Sequence, residues 1–557
     1  MTRKFTLAFA MAAIGASLLV AAAFAKPASS SVPQSAGKAG KDEQRRGGTM
    51  RINVSSTDFE FVDPALTYDA LGWQVLYMTG AQLLNYPDKA APEGSQLVPE
   101  VATGLPRISR DGRTYTFTIR PGFRFSDGSP VTAANFKAAI DRAANKAQES
   151  PAIAFLHDVV GADESFAGRA GGVTGVTARG NTLTIRLKTA NPTFLAELAM
   201  PFFAAIKTDM AIDSHGVNVY PSAGPYTITS RDVGRGLVVE RNRFYRGTRP
   251  ANPDRFVFTT NVDVNQSLLQ VRRGESDYDS SGLPPTAHAD LAKEFGVKKS
   301  GNGRYFVNSY INVFYLSLNT TRPTFQNPNV RKGVNYAIDR PAMVRARGAF
   351  AGKRTDQILP PNLRGFKQAN LYPIRGADPA RAKQVAGAGV AGAKPVILAS
   401  TSPVGQAQGQ IVQFNLRQMG MDPDVRPTPF ATLLRTAGER GSEQDAVLIG
   451  WIADYPDPFD FINILLSGDN IQQSNNNNYA YFNSKEYNQK MVRASKLVGD
   501  ARYSAYGQLD IDLMKNQAPW APFLNANERE FVSSRVSNYV FGPVYASMLP
   551  NVAVLKN

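Results

Sequence analysis

One short stretch of this chain gathers side chains able to do chemistry: Gly450-Trp451-Ile452-Ala453-Asp454-Tyr455-Pro456-Asp457-Pro458. A large aromatic and a carboxylate stand three residues apart, ahead of two prolines. Before them, Ala446-Val447-Leu448-Ile449 is a short apolar run ended by glycine, which reads as a buried strand. The prolines bar helix or central strand directly afterwards, so Trp451 to Tyr455 are expected on a loop leaving a sheet edge. Sheets of mixed α/β proteins hold their ligands at such edges. The combination suits a guest with a cationic end and an apolar body. A catalytic alternative makes Asp454 and Asp457 an acid/base pair for glycoside cleavage. On a proline-locked loop the two carboxylates are expected to diverge, with Asp457 forming the turn.

Other chemistry is thin. His157, His215 and His288 are the only histidines, far apart and without metal-ligand spacing. No nucleophile elbow, phosphate loop or dinucleotide fingerprint occurs. Asp277-Tyr278-Asp279-Ser280-Ser281-Gly282 resembles half a calcium loop, but His288 stands where the bidentate Glu belongs, so the segment reads as a turn. The chain has no cysteine, which excludes disulfides, thiolate sites, cysteine nucleophiles and lipidation of an N-terminal Cys. Neither cofactor nor metal is expected, and the chain reads as a non-enzyme.

With 557 residues, 43% hydrophobic and 19% charged, the chain is an ordinary globular one of two to four domains. The net charge of +16 is spread among acids rather than clustered with aromatics, which argues against a nucleic-acid partner. Arg3 and Lys4 precede the uncharged Phe5 to Ala25, which closes on Ala23-Phe24-Ala25. A basic start, an apolar middle and a small-residue exit predict an export signal over residues 1–25, with a retained anchor as the alternative. Residues 26–46 read as a disordered linker, and no later segment suits a membrane span.

The elements that must carry the Trp451–Asp454 stretch follow from periodicity. Met50 to Val54 alternates as a strand; Tyr115, Phe117 and Ile119 alternate after the Asp111-Gly112 turn, and Leu183, Ile185 and Leu187 match them as antiparallel partners. Thr132 caps a helix bearing Phe136, Ala139, Ile140 and Ala143 on one face. Val330, Val334, Ala337 and Ile338 mark another, and Pro341 opens the next. Ser484 is expected to cap a helix with Tyr487, Met491, Ala494 and Val498 on one face, ended by Gly499. The Asn475–Asn478 tract reads as a short polar loop. The class is mixed α/β, without repeats.

From Gly47 to Asn557 the chain resembles the extracytoplasmic solute-binding proteins of peptide-type ABC importers. Five stretches carry the resemblance in the family's order. They are Leu97-Val98-Pro99-Glu100-Val101-Ala102, then Asp111 to Phe117 with Ile119-Arg120, then Phe125-Ser126-Asp127-Gly128-Ser129-Pro130-Val131-Thr132-Ala133, then Gly224-Pro225-Tyr226, then Asn319 and Pro323-Thr324-Phe325 with Asn329 to Arg340.

The resemblance implies a two-lobed periplasmic-binding-protein type II fold with an extra α/β domain inserted in the first lobe. Carried over, the first lobe takes residues 47–86, 216–298 and 526–557; the inserted domain takes 87–215 and the second lobe 299–525. Asp454 would take a peptide's α-ammonium, Trp451 would supply apolar surface, and Gly450 would pair with the ligand backbone. Tyr455, Tyr68 and Phe430 stand where relatives line the cleft. Leu448 stands where some peptide binders carry an arginine for the ligand's carboxylate. Relatives also bind oligosaccharides, opines and metal chelates, and a secreted hydrolase is the alternative of another class. The implied partners are a peptide and the permease and ATPase subunits of an importer. The implied place is the periplasm or the outer face of the cytoplasmic membrane, without a lipid anchor and as a monomer.

Overall fold

The computed structural model describes residues 46–56, 58–90, 93–544, 546–547 and 553–554. The expected export signal and almost all of the linker lie outside them. Among the described residues no helix is long and apolar enough to cross a membrane.

Three sheets organise the chain. The first runs in the order Tyr278–Asp279, Thr49–Asn53, Arg255–Thr259, Gly236–Arg241, Tyr226–Asp232. Thr49–Asn53 is parallel to both neighbours, and the remaining pairs are antiparallel. Alternation turns Met50, Ile52, Phe256 and Phe258 into one core. The second sheet has four antiparallel strands, with Tyr115 opposite Ile185 and Phe117 opposite Leu183, as their alternation predicts. Helix Ala133–Ala143 covers it with Phe136, Ala139, Ile140 and Ala143 buried; Asn135 completes a capping box with Thr132.

The third sheet runs Tyr305–Ser309, Trp520–Phe531, Asn312–Leu318, Ala446–Ile452, Val396–Ser400, Asp424–Thr428, with Gly352–Arg354 also on Trp520–Phe531. The long strand Trp520–Phe531 serves two cores. Its end pairs with Tyr305–Ser309, whose Phe306 packs with Met50 and Ile52 of the first sheet. Its beginning pairs with Asn312–Leu318, whose Leu316 packs with Phe523 and Leu524 in a separate core. Where the two pairings meet, the Asn312 side chain donates to the Ala526 carbonyl at 2.9 Å and accepts from its N–H at 2.6 Å, replacing ladder bonds. The chain thus forms two lobes joined through adjacent antiparallel crossings.

Four local expectations are corrected. Ala446–Ile452 is one strand that includes Trp451, so Gly450 does not end it. Helix Pro458–Leu466 starts at once, because proline at a helix's first position loses no hydrogen bond and Asp457 caps it. Helix Lys485–Ser495 ends before Val498, which is 68% exposed, while Gly499 opens the following helix instead of ending this one. Part of the expected turn at Asp277–Gly282 is strand as well, since Tyr278–Asp279 forms the edge of the first sheet.

Candidate functional site

The Trp451 stretch is held by the sheet on one side and by the next helix on the other. Trp451 faces Val313 and Ala453 N–H donates to the Ile311 carbonyl at 2.8 Å. Antiparallel ladders alternate bonded and non-bonded pairs, so a bonded Ile311–Ala453 pair turns the N–H and C=O of Gly450 and Ile452 toward the strand's other edge. On that edge, Val396–Ser400 pairs only with Ala446 and Val447. Gly450 is required for packing too: a Cβ there would lie 2.6 Å from the Phe314 ring.

Asp460, in the first turn of helix Pro458–Leu466, folds back on the strand end. Its Oδ2 accepts from Trp451 Nε1 at 3.2 Å and from Asp454 N–H at 3.0 Å. Asp457 points elsewhere, into a buried ion pair with Arg502 at 2.8 Å. The carboxylates of Asp454 and Asp457 therefore diverge, as expected.

Tyr68 reaches this cluster from the other lobe. Its loop is fixed by Trp73 Nε1, which donates to the Thr67 carbonyl at 2.8 Å, and by the buried Asp63–Arg142 pair. The Tyr68 hydroxyl donates to Asp454 Oδ2 at 2.5 Å. Its ring stacks on Trp73 and meets Phe202 and Trp451 edge-on, with centroids 5.0 and 5.4 Å away. Tyr455 is buried and its hydroxyl donates to Glu197 of the four-stranded domain at 3.3 Å. Asp454, Trp451, Tyr455 and Tyr68 are thus gathered where the lobes touch. Phe430 stands apart, 47% exposed at the first position of helix Phe430–Gly438. The charge of Arg435 in the same helix acts on Glu60.

Burial dominates the electrostatics. Asp454 is 6% exposed and its carboxyl is pushed up to about 7 by desolvation, against the Tyr68 hydrogen bond. Asp460, fully buried, is held well above the carboxylate range by desolvation and by the charge of Asp454, whose carboxyl it hydrogen-bonds. Burial raises Glu197 to about 7 as well. A hollow of about 500 Å³ beside Asp469, Lys485 and Arg493 shares no residue with this cluster.

Asp460 and Glu197 were missed in the sequence. The signal for Asp460 was present: Asp-Pro is a cap followed by a first-turn proline, and an acid two residues on sits in the first turn, where its side chain can turn back on the chain entering the helix. Nothing local signals Glu197.

Residues 96–473 match the model of the bacterial extracellular solute-binding proteins, family 5. The chain is 29% identical to haem-binding protein A of Haemophilus influenzae over 386 residues, covering 65% of this chain and 66% of that one. It is 24% identical to the oligopeptide-binding protein OppA of Bacillus subtilis over 454 residues, covering 76% and 78%. Among solved structures, Haemophilus influenzae OppA in complex with RPPGFSPFR superposes with a TM-score of 0.78 at 22% identity, covering 92% of this chain and all of that one. That likeness carries the fold, and the two-lobed expectation with its extra domain holds. With two thirds of its length inside the family's model, the chain belongs to the bacterial extracellular solute-binding proteins of family 5.

Proposed function

We propose that this protein is the receptor of an ABC importer, capturing peptides between its lobes and passing them to permease and ATPase subunits without chemical change. The first lobe would comprise residues 47–86, 216–298 and 526–557, with the inserted domain at 87–215 and the second lobe at 299–525. The protein would work outside the cytoplasmic membrane after export. The carrying observation is Asp454: a carboxylate buried where the lobes meet, with no Lys or Arg ion pair among the described residues. A peptide's α-ammonium supplies the missing cation, and charge-assisted bonds in a closed site are strong. Trp451 and Tyr68 add ring surface that accepts varied side chains. The open edge at Gly450 and Ile452 suits an extended backbone added as a strand.

The test is calorimetry with a tripeptide library in free and N-acetylated forms. Free peptides should bind and acetylated ones should not. Asp454→Ala should weaken binding by roughly two to four decades, because the ammonium then lies buried alone. Binding that ignores acetylation overturns the reading. Haem is the competing guest, given the relative named for it, and a shifted haem absorbance band with no peptide heat would favour it.

A further inference from the structure

The acid beside Asp454 gives the site a property that one carboxylate alone would lack. Asp460 is fully buried, and while its Oδ2 orders Trp451 and the Asp454 N–H, its Oδ1 receives no donor from nitrogen or hydroxyl among the described residues. The side chain of Asp460 is also hydrogen-bonded to the carboxyl of Asp454, and two carboxyls can hydrogen-bond only through a proton held between them.

Among the described residues neither Asp454 nor Asp460 has an ion pair with Lys or Arg. The titratable groups that act with the pair are Tyr68, Tyr86, Tyr310 and Tyr455, none of them a cation. Arg502 is engaged by Asp457, and Glu197 adds a further acid behind Tyr455. Two buried carboxylates with no base cannot both ionise, so the free site keeps a proton at neutral pH.

We infer that Asp460 is a specificity-determining positioning residue that makes capture a proton exchange, the guest's ammonium replacing the proton held between Asp460 and Asp454. This rests on the peptide reading above. The step balances: the O–H bond of the pair breaks, the proton leaves to solvent, and the ammonium takes its place against two carboxylates. Guests with a full positive charge at the amine are favoured over neutral or acylated ones twice over, by Asp454 and by Asp460. Affinity for a free peptide should rise about tenfold per pH unit for each proton displaced, up to the pH at which the free pair ionises.

Two measurements test it. The first needs no guest: thermal unfolding of the wild type and of Asp460→Asn from pH 5 to pH 8. Asparagine keeps the shape and both hydrogen bonds to Asp460 Oδ2 while removing one of the two acids. The wild type should lose more stability across that range than the variant; equal losses overturn the inference. The second is calorimetry of tri-alanine at pH 6.5 in buffers of different ionisation enthalpy. Binding should release about one proton in the wild type and clearly less in Asp460→Asn, and binding without proton release overturns the inference while leaving the peptide reading intact. A pH difference in the first measurement with no tripeptide heat would support the shared proton and count against peptides as the guest.

Discussion

Gly450 and Phe314 face each other across two neighbouring strands so closely that even a methyl group on Gly450 would lie 2.6 Å from the ring. The ring in turn carries the Arg347 guanidinium 4.3 Å above its face. Gly450→Ala should therefore cost about 1–3 kcal/mol through overpacking. Urea unfolding measures it, and adding Phe314→Leu should recover part of the loss. A neutral Gly450→Ala would show that the ring has room to retreat.

The ion pair between Asp63 and Arg142 fastens the helix Ala133–Ala143 to the loop before Tyr68. Both side chains are buried, the contact is two-pronged at 2.6 and 2.7 Å, and Asp63 also accepts from Val217 N–H. Arg142→Met strands that carboxylate without a counter-charge and should cost about 3–5 kcal/mol. Asp63→Asn in the same chain should return much of it, as chemical denaturation would reveal; a double variant as weak as the single one would contradict this account.

Stability should fall as pH rises through neutrality. Burial lifts Asp454, Glu197 and Asp510 to about 7, far above their values in an unfolded chain. Between about pH 4 and pH 7 the folded protein therefore holds protons that the unfolded chain has lost, and each such proton costs about 1.4 kcal/mol per pH unit. Asp111 and Asp163, lowered to about 2 by hydrogen bonds, act only below that window and are largely exposed. The thermal midpoint should be higher near pH 5 than at pH 8. A midpoint that climbs over this interval would refute the assignment.

A second bridge between the halves lies away from the acids. Asn475 and Glu149 both adopt left-handed backbone, with φ of 55° and 53°, and the Asn475 amide donates to the Glu149 carbonyl at 2.9 Å. Asn475→Gly keeps the backbone and removes the bond, a loss of about 0.5–1.5 kcal/mol from the joined arrangement. In X-ray scattering the ligand-free variant should show a larger radius than the wild type. An unchanged radius would mean that the bridge is incidental.

Much of this was legible locally. Alternation found the Tyr115–Ile185 pairing, and a Thr cap with apolar spacing found helix Ala133–Ala143. Glycine and proline read as breaks, which puts the Trp451 stretch on a loop. Glycine was instead the only residue that Phe314 could tolerate opposite it, and Pro458 was a helix start. Val498 fitted the helical spacing, yet the helix ended a turn earlier. Tyr68 is legible only through its family position; its contact with Asp454 joins residues 386 apart in sequence, which no local pattern encodes. Asp460 does not stand out in the sequence because its role depends on a helix start that reads as a break.

The Tyr68 hydroxyl has a consequence for any visitor. It is a donor that the protein carries on its own tether, docked on the very oxygen that an amine would seek. Under the peptide reading, an arriving amine would face an internal rival at high effective concentration and would have to displace it or share the oxygen with it. Under the peptide reading, weak cations would lose that contest, so the same phenol that ties the halves together would also set the threshold for admission.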